Sequence, residues 1–379
     1  RVPVAPQAGP AGLHPEACPR GGLPSTAMAT VPSLGLPTTV IGAYPKPGYV
    51  PVSDWFDLPD RDYAGRWADE MEAAGGDAEA SFVRAAAEVI ADQVEAGVDV
   101  VTDGEVRREN YIHYHCRHLS GFDFEHRSES MLRGVMTTTL PTITGRVAAG
   151  DAFLVHDWKA AQATTDHPVK VTIPGPLTIT DSTVDRHYGD RAALVADLGV
   201  AVNSEVRALV DAGCTHIQVD EPVFARRLDD ALSFGVDALA ACFDGVPDHV
   251  VRTVHCCCGY PRHLDDDAYE KAPPEAYLDL AEAIDAAPID RFSLEDAHRP
   301  NDLAALLPRF RETTIILGCV AIARSRIETV DEVRDRLAEA LRHIDRERLA
   351  AAPDCGLGYL GRDLAIAKLR VLCEAASSV

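Results

Sequence analysis

The stretch Val250-Val251-Arg252-Thr253-Val254 is a short valine-rich run that leads directly into His255-Cys256-Cys257. A run of this length and composition predicts a buried β-strand, because β-branched side chains pack well on a sheet. Side chains two apart on a strand point the same way. We therefore expect His255 and Cys257 to share one face, and Cys256 to face the helices that pack on the sheet.

Seven other short apolar runs alternate with longer amphipathic segments, which is typical of a parallel α/β protein. The eight predicted strands are Thr39–Ala43, Val98–Thr102, Val169–Ile173, His216–Val219, Val250–His255, Arg291–Leu294, Thr314–Leu317 and Leu349–Ala352. The predicted helices include Ala78–Glu95, Arg191–Ala212, Pro274–Ala286, Val330–His343 and Arg362–Ala375. Gly97 and Gly213 stand where a left-handed glycine would end a helix. The pattern predicts an α/β fold, a single (β/α)8 TIM barrel over residues 38–379.

Two connections are longer than a minimal barrel needs. Residues 44–77 follow the first predicted strand, and residues 106–167 follow the second and contain a predicted hairpin at 137–144. Because both follow strands, we expect these insertions to cover the carboxyl-terminal mouth, where barrel active sites are built. Structural padding or an oligomer contact is an equal alternative for the second insertion.

The first 37 residues differ in composition from the rest of the chain. Residues 1–37 are rich in Pro, Ala and Gly, and the sequence resembles an ordinary N-terminus only from Met28. We expect them to form a disordered tail, or one added ahead of the natural start, and we assign them no function.

Charge and cysteine usage exclude several classes of protein. The 379-residue chain has 59 acidic and 36 basic residues, a formal net charge of −23. Such a field repels nucleic acid and anionic membrane surfaces, so neither is expected as a partner. No apolar stretch approaches the ~20 residues that span a bilayer. The ten cysteines show no tight disulfide framework, which together with the other features predicts a soluble protein of the reducing cytoplasm.

Polar residues lie at or just after the carboxyl-terminal ends of most of the predicted strands. They are Asp103-Gly104-Glu105, Pro174-Gly175-Pro176, Asp220-Glu221-Pro222, His255-Cys256-Cys257, Glu295-Asp296 and Asp354-Cys355-Gly356. In a barrel these strand ends meet at one mouth. A lone buried His or Cys usually fills a core, but several good zinc ligands at one mouth favour a metal site. The predicted Zn²⁺ ligands are His255, Cys257, Glu295 and Cys355.

These strand ends resemble those of a known family, the cobalamin-independent methionine synthases, in their C-terminal catalytic barrel. The matching segments are Ile41-Gly42-Ala43-Tyr44-Pro45, Asp103-Gly104-Glu105, Ile173-Pro174-Gly175-Pro176-Leu177-Thr178, Gln218-Val219-Asp220-Glu221-Pro222, His255-Cys256-Cys257, Ser293-Leu294-Glu295 and Pro353-Asp354-Cys355-Gly356-Leu357-Gly358. They extend over nearly everything from Thr38 onward.

The resemblance implies that a substrate sulfur joins the zinc as an incoming ligand. It also implies that Glu105 and Asp220 hold the ammonium group of a homocysteine-like aminothiol, and that backbone at Ile41, Gly42 and Ala43 contacts its carboxylate. A substrate cation would offset the cost of burying two carboxylates. Glu221 and Arg107 are further predicted substrate contacts. In the alternative interpretation, Asp220 and Glu221 only cap a helix and pair with Arg226 or Arg227.

The chain departs from the family on the side of the methyl donor. Ser182 stands where folate-using members carry an aromatic residue, and Arg226 where they carry an acidic one. Ala323 replaces a histidine that would protonate the folate leaving group, and Ala43 replaces a serine. A lost general acid typically costs ~10²–10⁴ in rate, so a donor that leaves without it fits better.

The donor candidates are a methylated corrinoid protein, an epoxide and an activated small metabolite. An anionic part of such a molecule could meet Arg107, Arg108, Lys46 or Arg324, although solvated surface charges are the commoner case. A histidine group in the second insertion, His113, His115 and His118, could supply acid–base chemistry, but a polar surface is the expected place for it.

The sequence therefore predicts zinc-dependent methyl or alkyl transfer to a small thiol, in methionine biosynthesis or a related pathway. A zinc-dependent lyase on the same barrel is the second hypothesis, with the metal acting on a carbonyl or carboxylate. A non-catalytic zinc scaffold is the third, and it requires four protein ligands around the metal. The sequence does not determine the oligomeric state, the identity of the thiol or the identity of the methyl or alkyl donor.

Overall fold

A parallel β-sheet with helices between its strands forms the centre of this computed structural model, which describes residues 35–56, 63–132, 136–261, 263–266 and 268–379. The strands in these residues are β1 (Leu119–Leu132), β2 (Met136–Ala149), β3 (Val171–Pro174), β4 (Val184–Asp185), β5 (His216–Asp220), β6 (Val251–Cys256), β7 (Arg291–Glu295), β8 (Thr314–Val320) and β9 (Leu349–Pro353). The helices are α1 (Tyr63–Ala74), α2 (Ala78–Ala96), α3 (Tyr111–Arg117), α4 (Leu154–Gln162), α5 (Pro176–Asp181), α6 (Arg191–Ala212), α7 (Leu228–Asp230), α8 (Val236–Cys242), α9 (Ala276–Asp285), α10 (Leu303–Leu306), α11 (Val330–Ala340) and α12 (Arg362–Ser377).

The central sheet has the order β3-β5-β6-β7-β8-β9, and every neighbouring pair is parallel. These strands confirm six of the eight predicted ones. The other two, Thr39–Ala43 and Val98–Thr102, form isolated parallel bridges only, Thr38 with Ala351, Thr39 with Val100, and Val101 with Val169. Side chains take the backbone oxygens of Val40, Ile41 and Gly42, which explains why no longer ladder forms at the first segment.

The glycine helix ends are confirmed. Gly97 has φ 99° at the end of α2, and Gly213 has φ 102° at the end of α6. Each donates its backbone N–H to carbonyls of the last helical turn. Because only glycine adopts this conformation at little cost, both chain reversals are set locally by the sequence.

The second insertion contains a long antiparallel hairpin of β1 and β2, followed by α4. The prediction of a hairpin within 137–144 is wrong, because these residues lie in the single strand β2 and pair with β1. The first insertion includes α1. The strand β4 adds to β2 to complete a separate three-stranded sheet.

The predicted N-terminal tail lies outside the described residues up to position 34. Its last residues belong to the folded unit, Leu34–Val379. Leu36 is buried and donates its backbone N–H to Ala376, while Pro37 accepts a hydrogen bond from the backbone N–H of Ala351. The packed part of the chain therefore begins slightly before the predicted boundary at residue 38.

The core consists of the apolar strand residues and the helix faces that cover them. Val254 in β6, Leu294 in β7 and Leu317 in β8 are completely buried, as expected for parallel strands covered on both sides. A separate small cluster joins Ile41 and Ile316 with two alanines of β9. None of the described helices is both long enough and apolar enough to cross a membrane.

Glu205 connects α6 to the start of α4 and makes the stability of the folded protein depend on pH. Its carboxylate accepts hydrogen bonds from the backbone N–H groups of Phe153 and Leu154, where α4 begins. Burial raises its pKa from 4.5 to about 7. The folded protein thus keeps a proton that the unfolded chain has already lost, so the free energy of unfolding falls as the pH rises from about 4.5 to about 7.

We expect Glu205→Gln to be more stable than the parent protein at pH 8, by roughly 2 kcal/mol, and nearly equal to it at pH 4.5. The amide oxygen still accepts a hydrogen bond, and it carries no charge to desolvate. Urea unfolding at both pH values measures the difference. The exposed Glu312→Gln is the control, and a stability gain of the same size at both pH values would contradict the assignment.

Candidate active site

A cavity that opens to solvent lies at the carboxyl-terminal ends of the central strands and encloses about 520 Å³ of empty space. Its wall combines backbone at Ile41–Ala43, the carboxylates Glu105 and Asp220, and a group of thiol and imidazole side chains. The strand ends bring these residues together because parallel strands all finish at the same edge of a sheet.

His255, Cys257 and Cys355 form a group that could hold a metal ion. One ligand atom from each lies within 4.8 Å of the other two. The Nδ1 atom of His255 is hydrogen-bonded to Ser293 Oγ at 3.0 Å, while its buried Nε2 atom has no partner within the described residues. Metal-binding histidines usually have one ring nitrogen fixed by a hydrogen bond and the other directed at the metal. His255 has this arrangement, with Nδ1 hydrogen-bonded and Nε2 without a partner in the described residues.

The electrostatics of one of the two thiols, Cys257, also suit a metal, whereas the hydrogen bond with Cys257 raises the pKa of the Cys355 thiol. The pKa of the Cys257 thiol is lowered well below its usual value, mainly by a hydrogen bond with Cys355 and further by His255. Cysteine binds metals as the thiolate, so Cys257 is prepared for this role. His255 and Cys257 line the cavity, whereas Cys256 and Cys258 belong to the apolar core and are absent from the cavity lining. The alternation expected along this strand is therefore observed.

Glu295, the fourth predicted ligand, is outside the group of three. Its carboxylate pairs with Lys271 and accepts a hydrogen bond from the backbone N–H of Cys258 at 3.1 Å. The sequence offered no sign of Lys271, which comes from the loop after β6. Three of the four predicted ligands converge in this structure, and the fourth is engaged by a cation.

The two predicted amine ligands face the cavity. Glu105 accepts a hydrogen bond from Thr172 Oγ1 at 2.7 Å and lies 3.6 Å from Arg108. Its backbone has φ 58°, a strained conformation that turns the side chain inward. A Cβ atom on Gly42 would lie 2.5 Å from Glu105 Oε1, so a larger residue there would displace the Glu105 carboxylate. Burial raises the pKa of Glu105, and it raises that of Asp220 to about 7.

Two predicted substrate contacts lie elsewhere, and both predictions need correction. Glu221 points away from its neighbour Asp220 and accepts hydrogen bonds from Leu177 and Thr178, at the start of α5. Arg107 makes a two-pronged ion pair with Glu79. Adjacent residues at a strand end face opposite sides, so Asp220 reaches the cavity and Glu221 does not.

The cap interpretation thus applies to Glu221 alone. The expected ion pair with Arg227 does not form in the described residues, where Arg227 pairs with Asp181 and Asp230. Lys46 is one of the basic residues that the sequence suggested as contacts for an anionic part of the donor. Its ammonium group donates a hydrogen bond to the backbone oxygen of Arg108 at 2.9 Å. Its ammonium group therefore already has a structural partner.

The expected surface position of the histidines in the second insertion is wrong for His113 and His115. Both are buried on α3, and burial lowers their pKa values to about 4 and about 3. His113 is hydrogen-bonded through Nε2 to the backbone oxygen of Ser182, and His115 packs against Phe153. Helix α3 lies beneath the hairpin, so its histidines serve as packing residues.

Sequence reasoning missed the aromatic wall, by which we mean Trp55, Phe56, Tyr111 and Tyr260. These rings line the cavity next to the thiols. The Tyr260 hydroxyl donates to the backbone oxygen of Gly356 at 2.9 Å, which ties the loop after β6 to the loop after β9. Aromatic residues in the two mouth-covering loops were the only available signal.

Comparisons with known proteins found a matching family model and similar chains. The family model described as the cobalamin-independent synthase catalytic domain matches residues 36–378. The chain is 30% identical to the methionine synthase of Sulfolobus acidocaldarius over 331 residues, which is 87% of this chain and 88% of that one. It is also 30% identical to the methionine synthase of Saccharolobus solfataricus over 339 residues, 88% of this chain and 92% of the relative.

A solved structure is similar over most of its length. It is a B12-independent methionine synthase from Shewanella sp. W3-18-1 in complex with selenomethionine, with 28% sequence identity and a TM-score of 0.78. The match covers 90% of this chain and 97% of the Shewanella chain.

Proposed function

The chain belongs to the family of cobalamin-independent synthase catalytic domains, and from this premise we propose that it is a zinc-dependent methyltransferase acting on homocysteine or a close aminothiol. The observation that carries the proposal is the convergence of His255, Cys257 and Cys355 beside two buried carboxylates. The Shewanella protein was described in complex with selenomethionine, an analogue of the expected product.

We propose further that the sheet closes into an eight-stranded barrel. The isolated bridges support this closure, because Thr38 meets β9, Thr39 meets Val100, and Val101 meets Val169 just before β3. A closed barrel brings Ile41–Ala43 opposite Asp220, as one amino-acid-sized substrate requires.

The metal site fits zinc in its donor types. Thiolate and imidazole are the ligands that zinc prefers, and three protein ligands with one open position are typical of catalytic sites. Zinc, when bound, would lower the pKa of a substrate thiol and keep its sulfur nucleophilic. This arrangement disfavours the non-catalytic scaffold, which needs four converging ligands.

The remaining residues have roles in binding and orientation. Glu105 and Asp220 would hold the substrate ammonium group, and the backbone at Ile41–Ala43 would contact its carboxylate. The aromatic wall excludes water from the path of the methyl group. Fixing both ends of the aminothiol aims its sulfur at the donor, and this orientation can supply a large part of the rate.

We propose a methyl donor that needs no protonation when it leaves, for example a methylated corrinoid protein. Ala323 is buried and carries no acid, and its backbone N–H and that of Ile322 both donate to His298 Nε2. Burial lowers the pKa of His298 to about 3. Neither residue would donate a proton to a reduced folate near neutral pH.

The experiment incubates the zinc-loaded protein and homocysteine with methylcobalamin or with 5-methyltetrahydropteroyltriglutamate, and measures methionine. We expect one zinc per chain and faster turnover with methylcobalamin. Equal activity of a metal-free preparation would refute the function, and a preference for the folate would refute the donor assignment alone.

A milder effect is expected at Glu295, which the sequence predicted as a fourth ligand but which lies outside the group of three. In this structure Glu295 is paired with Lys271, so its ligation requires that this ion pair opens. We expect Glu295→Gln to retain zinc on the other three ligands, with affinity reduced about 10- to 100-fold. Competition with a chromophoric chelator measures the affinity. Glu328→Gln, which removes a similar buried partner from Lys368, is the control, and complete loss of zinc from Glu295→Gln would contradict the prediction.

A further inference from the structure

A chain of hydrogen bonds runs through the interior of the central sheet to Asp220. Lys170 Nζ donates to Gln218 Oε1 at 2.6 Å, and Gln218 Nε2 donates to Asp220 Oδ1 at 2.7 Å. The exposed fractions of the three residues are 3%, 0% and 5%. Lys170 and Gln218 are absent from the described cavity lining, so they reach a substrate only through Asp220 and the backbone.

The ammonium group of Lys170 determines which way the Gln218 amide faces. A lysine ammonium only donates hydrogen bonds, whereas an amide has one accepting and one donating end. The oxygen of Gln218 must therefore face Lys170, and its NH₂ group must face Asp220. Without Lys170, the amide oxygen loses its donor, and only the Ile41 backbone oxygen would still oppose a rotation that presents the amide oxygen to the carboxylate.

The same two residues hold the other side of the cavity. Lys170 Nζ also donates to the backbone oxygen of Val40 at 2.5 Å, and Gln218 Nε2 donates to that of Ile41 at 2.9 Å. The pair thus connects the amine-binding carboxylate to the segment expected to meet the substrate carboxylate. This cross-connection sets the spacing between the two ends of the site.

We propose that Lys170 and Gln218 are positioning residues that make the site selective for a thiol bearing an α-amino group. This inference rests on the proposed function, since it assigns the ammonium group of the substrate to Asp220. Ordered buried networks hold a side chain in one orientation more strongly than single hydrogen bonds do. Asp220 is therefore pre-aligned for a cation before the substrate arrives.

The test compares L-homocysteine with 4-mercaptobutanoate, which is the same molecule without the amino group. Calorimetry on the zinc-loaded protein gives a dissociation constant for each ligand, and needs no methyl donor. We expect the parent protein to prefer homocysteine about 10- to 100-fold, because a charge-assisted hydrogen bond of the ammonium group is lost in the analogue.

Two variants interrupt the network at different points. Lys170→Met and Gln218→Met each replace the side chain with an apolar one of similar length, and each should reduce the preference to within about 3-fold. Because the residues act in series, the double variant should be no less selective than Gln218→Met alone. Arg252→Met is the control, since Arg252 pairs with Asp290 near the opposite end of β6.

The outcomes separate the two proposals. A parent protein that binds neither thiol would overturn the proposed function. A parent protein that prefers homocysteine, with either variant retaining both zinc and that full preference, would overturn the positioning role alone. General damage to the fold would weaken both ligands equally and leave their ratio unchanged, which also counts against the positioning role. If Lys170→Met does not fold, Gln218→Met decides the question.

Discussion

Cys257→Ser is expected to abolish both metal binding and methyl transfer, with kcat/KM falling by at least about 10³-fold. Cys257 lies between His255 and Cys355 in the three-residue group, and its thiol has the pKa lowered for metal binding. A serine hydroxyl is not a thiolate and is a poor zinc ligand. Elemental analysis of the purified variant measures zinc, and methionine formation measures activity.

The neighbouring residue provides a matched control for this result. Cys256→Ser makes the same chemical change one position away, at a side chain that lies in the apolar core and outside the cavity lining. It should cost some stability and leave about one zinc bound per chain. If Cys257→Ser retained zinc and activity while Cys256→Ser lost them, the assignment of the strand faces would be wrong.

Asp220→Asn has the second largest expected effect. The carboxylate is buried, faces the cavity and receives a hydrogen bond from Gln218. The asparagine keeps the shape and removes the negative charge that the substrate ammonium group would meet. We expect the KM for homocysteine to rise at least about 100-fold, with a much smaller change in kcat and no change in zinc content.

Glu221→Gln is the control for that substitution. Glu221 caps the start of α5 and lies outside the cavity lining in the described residues. Its glutamine variant should have a KM for homocysteine within about 3-fold of the parent value, because the lining of the cavity is unchanged. A large rise in KM for Glu221→Gln, with none for Asp220→Asn, would reverse the roles given to the two carboxylates.

Local sequence patterns were sufficient for most of the architecture. The valine-rich run at 250–254 and five of its seven counterparts gave correct strand positions, since a buried strand must be apolar over a short length. The turn glycines Gly97 and Gly213 were recognisable because no other residue adopts their conformation as readily. The gathering of His255, Cys257 and Cys355 also followed from the sequence, because parallel strands end at one edge.

The side-chain directions beyond the strand ends could not be derived in this way. Where the strand stops and the turn begins determines which of two neighbours enters the cavity, and this separated Asp220 from Glu221. The positive φ of Glu105 has the same kind of effect in the loop that follows Val101. Such turns depend on contacts from other parts of the chain.

The sequence by itself determined the alternation of strands and helices and the positions of His255, Cys257 and Cys355 at or just after strand ends, because both depend on neighbours along the chain. Only the tertiary structure decided the pairing of Glu295 with Lys271, the aromatic wall and the contact of Lys170 with Val40, which lies 130 residues away. Buried polar groups must find partners wherever the fold places them. Those partners come from segments far apart in the sequence, so no local sequence pattern predicts them.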